Sequence, residues 1–481
     1  MDALDLARWQ FAITTVYHFF FVPITIGLSG IVAGFHVAWV RGHNPQMYKL
    51  TKFFGKLFVI NFALGLVTGI VQEFQFGMNW SDYSRFVGDI FGAPLAFEAL
   101  LTFFLESTFL GLWIFGWGRI PEKLHALTMC LVHLGTVMSA FFILSANSFM
   151  QNPVGFTFNP KTNRAELTDF VAVLTNKVQL VTFPHVIFAA YMTAGAVVMG
   201  VALWHLRRPN LGDNASMYRK ATRVGAVVTL VASLGVMISG DLQGKIMTEV
   251  QPMKMAAAEG IYESQSHAPF SVLSIGSLDG TKATRIIEVP GLLSFLGHGD
   301  FNAEVKGINP LRDEAKAKFT GGKFTSDSST SYTPNIPTTY WTFRFMMGFG
   351  FAGTAASLLV LWATRKNAGE KALAPRWWHW VAVATPFLPL LGNSFGWIFT
   401  EMGRQPWIVN GLMTVQHAVS PSVSSGEVLF SMIVYTLLYA ALAVVEVKLF
   451  LKYVRMGAEA VPEPGHEPEH DDTDAPLAYA Y

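Results

Sequence analysis

The chain has 481 residues, 52% of them hydrophobic and 14% charged, with a formal net charge of +1 and a mean hydropathy of +0.37. Soluble domains carry about 25% charged residues, so the composition excludes an ordinary soluble protein, and the small net charge gives no reason to expect nucleic acid or an acidic partner. The single cysteine, Cys130, excludes an internal disulfide, a Cys-rich zinc site, an iron–sulfur cluster and thioether-linked haem. Any bound iron must be held by His, Met, Glu or Asp.

Nine apolar runs follow in chain order, at roughly 11–39, 54–77, 94–117, 125–147, 179–205, 222–243, 338–363, 378–401 and 427–451. Each is close to the length that crosses a bilayer. Backbone polar groups in lipid must be satisfied internally, so the runs are expected to be helices. The predicted fold class is an all-α integral membrane bundle of about nine transmembrane helices. No basic region precedes the first run, which is too long for a signal core, so it is expected to be a span.

Lys and Arg in the short connections set the expected orientation. Arg41, Lys49, Lys52 and Lys56 follow the first run. Arg207, Arg208, Arg219 and Lys220 lie between the fifth and sixth, and Arg365, Lys366, Lys371 and Arg376 between the seventh and eighth. The alternate connections offer only Arg85 in 78–93 and Arg404 in 402–426. The N-terminus is therefore expected outside and the C-terminus in the cytoplasm. Residues 1–243 read as spans one to six, 244–337 as a long polar outer loop, 338–456 as spans seven to nine, and 457–481 as a disordered acidic tail containing EPEHDD. No internal repeat is evident.

Ionisable residues at membrane depth are costly and usually functional. Here they are His18, Glu73, Glu98, Glu106, His133, His185, Arg344 and Glu401. With the orientation above, His18, His185 and Met346 lie early in spans entering from outside, and Glu401 ends a span leaving toward it. Four potential iron ligands at one depth suggest a b-type haem, for which His and Met are suitable axial ligands. Taken singly, each His or Met is more often a packing residue, and Glu401 with Arg404 is as readily an ion pair at a helix end. Trp397, Glu401 and Arg404 fall at i, i+4 and i+7, a single helical stripe. Glu98 and Glu106, eight residues apart, are expected on one side of the third span, separated by about 12 Å of rise. That spacing suits a proton relay; helix packing is the plainer alternative. A proton-coupled carrier is the rival class, although neither inverted repeats nor broken mid-membrane helices are seen. A non-catalytic haem-binding assembly subunit is a third reading.

Six stretches carry a more specific signal: RWQFAITTVYHFFFVPITIGL, FEALLTFFLESTFLGL, SANSFMQNPVGF, VQPMKMAAAEG, YWTFRFMMG and GWIFTEMGRQPW. In this order the chain strongly resembles subunit I of the cytochrome bd quinol oxidases, across all nine spans. The resemblance implies a quinol:oxygen oxidoreductase of the bacterial cytoplasmic membrane with two haem b, one low-spin and one high-spin, and one haem d. A haem-b-only variant stays open. His185 and Met346 then resemble the low-spin haem b ligands, with Arg344 beside them in a propionate or neighbouring-haem role. His18 resembles the haem d ligand and Glu401 the high-spin haem b ligand, and their order is open. Trp397 would pack on the macrocycle, and Arg404 would balance haem or carboxylate charge.

Lys254 and Glu259 match the family's quinol-site pair in the outer loop, here of the shorter form. On this resemblance quinol is oxidised outside and electrons pass through the low-spin haem to the high-spin pair. Protons for O₂ reduction climb from the cytoplasm by Glu106 and then Glu98, with Ser145 and Asn147 as candidate lining residues, so charge is separated without a pump. The implied partners are subunit II in a heterodimer, quinol and quinone, O₂ and membrane lipid. The number of small accessory subunits and the choice of quinone are left open.

Overall fold

The computed structural model describes every residue except 1, 210, 213, 277–281, 328–329, 366–372 and 463–481. In chain order its elements are α1 (Ala3–Gly42), α2 (Pro45–Met78), α3 (Ser81–Phe97), a π-helical segment (Glu98–Phe103), α4 (Phe104–Phe115), α5 (Glu122–Gln151), the hairpin β1 (Phe156–Asn159) and β2 (Arg164–Leu167), α6 (Phe170–Leu174), α7 (Lys177–Leu206) and α8 (Asn214–Val250). Then come α9 (Pro252–Glu259), β3 (Gln265–Ser266), β4 (Phe270–Gly276), β5 (Ala283–Val289), α10 (Leu292–His298), β6 (Glu304–Val305), α11 (Ile308–Phe319), α12 (Ile336–Ala363), α13 (Trp378–Ala384), α14 (Phe387–Met402), β7 (Trp407–Val409), β8 (Met413–Thr414) and α15 (Ser425–Met456). Among the described residues nine helical segments are long and apolar enough to cross a membrane, with α3 to α4 and α13 to α14 each counted as one. The protein is an all-α, multi-pass membrane bundle.

The helices outrun the apolar runs because polar caps, not hydropathy, end them. Asn44 accepts a hydrogen bond from the Gln46 amide at the start of α2, with Pro45 in the first turn. Lys49, Lys52 and Lys56 therefore stand on α2 rather than in a connection. Residues 81–93, expected between spans, are helical in α3. The first residues of the expected outer loop, 244–250, are the last turns of α8. That loop is built of three helices and two two-stranded pairings, β3 with β6 and β4 with β5, all antiparallel. Lys366, Lys371 and the EPEHDD stretch lie outside the described residues. The first residues of the expected tail are held in place: Arg208 pairs with Glu459 at 3.2 Å, and the Tyr218 hydroxyl also donates to that carboxylate.

Small residues let the central helices approach. A Cβ on Gly27 of α1 would stand 2.4 Å from the Ala190 carbonyl oxygen of α7. Lipid provides no hydrophobic drive between helices, so such close packing is what holds them. Large apolar side chains face outward on several helices, among them Leu100, Phe104, Trp380 and Phe430, as a membrane bundle requires.

Candidate functional site

Two histidines are built into the bundle in the same way. On α1, His18 Nδ1 lies 2.9 Å from Thr68 Oγ1 on α2. That hydroxyl donates its own proton to the Leu64 or Gly65 carbonyl, at 3.1 and 3.0 Å. On α7, His185 Nδ1 lies 3.1 Å from Ser239 Oγ on α8, and Ser239 donates to the Gly235 carbonyl at 2.6 Å. A hydroxyl whose one proton is committed must accept from the ring, so Nδ1 carries the hydrogen and Nε2 the lone pair. A glycine follows each hydroxyl: a Cβ on Gly69 would sit 3.2 Å from His18 Cε1, and one on Gly240 3.3 Å from His185 Cε1. Ring nitrogens oriented by a neighbour and left open at Nε2 are what metal ligation needs.

His133 is the contrast. Its Nδ1 meets Ser29 Oγ at 3.0 Å and its Nε2 meets the Tyr191 hydroxyl at 2.7 Å. Both nitrogens are used, so it is a satisfied core residue.

The other candidates gather at the same level. Asn393 on α14 donates to Thr193 Oγ1 on α7 at 2.9 Å, tying these antiparallel helices together. Eight residues from that tie on each helix, toward the end where α9 lies, stand His185 and Glu401, both about 12 Å along the axis. One turn deeper on α14, Trp397 stacks on Phe19, the residue after His18, with ring centroids 5.1 Å apart. A Cβ on the adjacent Gly396 would stand 2.9 Å from Met346 Sδ of α12. Thus α14 reaches the neighbourhoods of His18 and Met346 within two consecutive residues.

Glu401 accepts from Asn147 Nδ2 at 3.1 Å and from Arg404 Nη2 at 2.5 Å. The expected single stripe is corrected here. Helix α14 ends at Met402, so Arg404 stands in the following turn and folds back onto the carboxylate. Arg404 Nη1 is buried with no partner among the described residues.

Lys254 and Glu259 do not meet. Five residues apart on a helix they differ by about 140°, and each faces a different centre. Lys254 is 2% exposed, and its Nζ donates to Gln151 Oε1 at 2.6 Å. Burial and Arg404 pull its ammonium down to about 7, with Glu401 pulling upward. Glu259, equally buried, takes Arg344 Nη2 at 2.7 Å. Arg344 also donates from Nη1 to Ala258 O at 2.9 Å and from Nη2 to Ser271 O at 2.5 Å. Burial raises the Glu259 carboxyl above its ordinary value, against the pull of Arg344. The expected propionate role leaves Arg344 only Nε, which is buried and unpartnered among the described residues.

Glu98 opens the π-helical segment and accepts from Ser139 on α5 at 2.6 Å. Glu106 is buried, and its Cγ would be 2.5 Å from a Cβ on Gly135, also of α5. The wider turn re-aims one carboxylate relative to the other, a feature frequent at functional sites. Glu73 is exposed on the described surface.

The donor set fits haem: two histidines open at Nε2, a thioether, a carboxylate, and two orphaned arginine N–H groups suited to anionic side groups. Sequence reasoning missed Thr68, Ser239, Gln151 and Ser139. The first two carried a signal, a hydroxyl residue followed by glycine within an apolar helix.

Comparison with known proteins agrees. The family model described as cytochrome bd terminal oxidase subunit I matches residues 6–458. The chain is 46% identical to cytochrome bd ubiquinol oxidase subunit 1 of Bacillus subtilis (strain 168), covering 98% of this chain and 96% of that one. It is 34% identical to cytochrome bd-II ubiquinol oxidase subunit 1 of Escherichia coli (strain K12), covering 96% and 98%. The solved bd oxidase from Geobacillus thermodenitrificans superposes with a TM-score of 0.82 at 27% identity, covering 94% of this chain and 98% of that one. This chain belongs to the cytochrome bd terminal oxidase subunit I family.

Proposed function

We propose that this chain is the haem-bearing subunit of a terminal quinol oxidase, a multisubunit membrane enzyme that passes electrons from quinol to O₂. The observation that carries the reading is the matched pair His18–Thr68 and His185–Ser239, each presenting an oriented Nε2 at the level of Glu401. Bound haem would supply one-electron transfer and the reduction of O₂. His185 and Met346 would hold a low-spin haem b. His18 would hold haem d and Glu401 the high-spin haem b, with Trp397 packing beside them and Arg404 fixing the Glu401 carboxylate.

Helix α9 serves quinol. Glu259 accepts a proton as quinol is oxidised, its burial favouring uptake, and Arg344 returns the carboxylate to one position. Lys254 is the other ionisable group of this helix. Both lie at the outer face in the orientation given by the basic connections, with the N-terminus outside the cytoplasmic membrane and the C-terminus inside. Glu106 and then Glu98 pass protons from the cytoplasmic side toward the Glu401 level, each aligned by α5. Charge separation follows without pumping. A second subunit covers part of the exposed apolar surface.

The test is His185→Ala in the purified oxidase. The low-spin haem signal should vanish from the dithionite-reduced minus oxidised spectrum while the high-spin signals stay; an unchanged spectrum refutes the assignment. A carrier would show no haem bands at all, and a non-catalytic haem-binding subunit would lack the haem d band.

A further inference from the structure

One corner of the molecule gathers buried polar atoms that have no partner among the described residues: Gln10 Nε2, Gln75 Nε2 and Oε1, Trp80 Nε1, the Tyr83 hydroxyl and Arg404 Nη1. None of these five residues is more than 5% exposed. Here the first turns of α1, the last turn of α2 and the start of α3 meet the turn that follows α14. Asn79 Nδ2, at the end of α2, donates to Gln10 Oε1 at 3.0 Å. The Trp80 ring stands edge-on to Phe11, with centroids 6.3 Å apart, and Phe76, beside Gln75, packs on Tyr83 at 6.1 Å. Trp80 and Tyr83 share one apolar cluster with Leu6 and Ala7 of α1 and with Val409 and Met413 of the β7–β8 hairpin. The Tyr83 hydroxyl feels the charges of Arg404 and Glu401.

The corner adjoins the candidate high-spin ligands. On α2, Thr68, Gln72 and Gln75 fall at i, i+4 and i+7, on one stripe. Thr68 backs the His18 ring, Gln72 accepts from Thr15 at 2.8 Å, and Gln75 comes next toward the outer end. From the other side Arg404 holds Glu401.

Polar atoms buried this deeply are almost always satisfied, and bare ones are costly. Donors predominate here. The indole and guanidinium N–H groups can only donate, and the amide NH₂ groups and the phenol add to them. A donor-lined hole beside a fixed positive charge suits an anion, and a carboxylate takes several such bonds at once. The corner is closed to solvent, so its anion must enter with the fold, tethered to a larger group.

We propose that this corner seats the carboxylate side groups of the haem held at the His18 and Glu401 level, with the Tyr83 hydroxyl and the Gln75 amide as donors beside Arg404. Both side chains bind the edge of the cofactor and take no part in the bond changes at oxygen. By drawing charge from the carboxylate they favour the reduced iron. The proposal rests on the reading that His18 and Glu401 hold haem.

The experiment uses the complete purified oxidase carrying Tyr83→Phe or Gln75→Glu, with haem isotope-labelled at its side-chain carboxyl carbons. The readouts are the midpoint potentials of the haems, the infrared redox difference spectrum and the unfolding temperature. Tyr83→Phe should keep the haems and shift the label-sensitive carboxylate band. It should lower the high-spin potential by up to about a tenfold change in the reduced-to-oxidised ratio, the reach of one charge-assisted hydrogen bond. The unfolding temperature should fall, and the low-spin potential should stay. Gln75→Glu sets a second carboxylate against the first and should lower the same potential further. A label-sensitive band unmoved in both variants overturns the proposal. With a raised unfolding temperature in Tyr83→Phe the hydroxyl is bare, with a potential that tracks added chloride the corner holds a free anion, and with neither it holds only water. His18→Ala and Glu401→Ala are the separate controls. Retention of both high-spin haems would refute the underlying ligation, whereas their loss alongside an unmoved Tyr83→Phe band refutes only the seat.

Discussion

Arg344 of α12 and Glu259 of α9 form a buried ion pair, Nη2 to Oε2 at 2.7 Å, with side chains only 8% and 1% exposed. The pair fixes which way α9 faces. It also separates Glu259 from Lys254, which turns to the other side of the same short helix.

Breaking one partner of a buried pair strands the other charge, at a cost of about 3–5 kcal/mol. Arg344→Gln should therefore lower the unfolding temperature in detergent markedly. Arg344→Gln with Glu259→Gln should cost less than the sum of the single changes, because no charge is left stranded. Additive losses in that double-mutant cycle would mean the two side chains act independently.

The same pair gives a pH prediction. A proton acceptor works while deprotonated, so quinol oxidation should be present above the Glu259 pKa and lost as pH falls through it. Burial raises that value, so the acid limb of the pH–rate profile should lie above the ordinary carboxylate range. Glu259→Gln should lower turnover by about 10²-fold or more and remove that limb, with the haem spectrum unchanged. A retained limb would assign it elsewhere.

Much of this was legible in the sequence, for a physical reason. Lipid forces long apolar helices, so the nine spans and the costly residues within them stand out, and His18, His185, Glu98, Glu106 and Glu401 were all visible that way. Span ends were not, because α3 and the end of α8 are amphipathic or polar helix outside the hydropathy signal. Partners from other helices were hidden as well. Nothing in the local sequence of His185 points to Ser239, and the five-residue spacing of Lys254 and Glu259 suggested a pair that helical phase sends apart. The Arg404 stripe failed because α14 stops two residues before it.

The hydroxyl–glycine device behind each histidine can be dissected. Thr68→Val and Ser239→Ala remove the acceptor that fixes Nδ1–H, and loss of such outer partners typically weakens metal binding 10- to 100-fold. Each should affect one haem: Ser239→Ala the low-spin signal, Thr68→Val a high-spin one. Gly69→Ala and Gly240→Ala, placing a methyl 3.2 and 3.3 Å from the imidazoles, should tilt the rings and shift the same bands. Cross-effects, with Ser239→Ala altering only high-spin haem, would count against the assignment of His185.

Glu98 and Glu106 should separate by their partners on α5. Glu106→Gln should slow O₂ reduction with haem content intact. Ser139→Ala, which deletes the 2.6 Å bond to Glu98, should slow it less, since the carboxylate remains. Normal turnover in Glu106→Gln would count against the relay.

Lys254 gives the last test, through stability. Its folded-state pKa is about 7, lowered chiefly by burial, whereas an unfolded lysine titrates at about 10.4. Between those values the unfolded chain holds a proton that the folded chain has shed. Folding then becomes more favourable as pH rises across the interval, by linkage. Lys254→Met removes the group from both states. The unfolding temperature of the native oxidase, measured against Lys254→Met, should therefore climb from about pH 7 to about pH 10 and level off above. A difference that is flat across that range would mean the ammonium stays charged in the folded protein despite its burial.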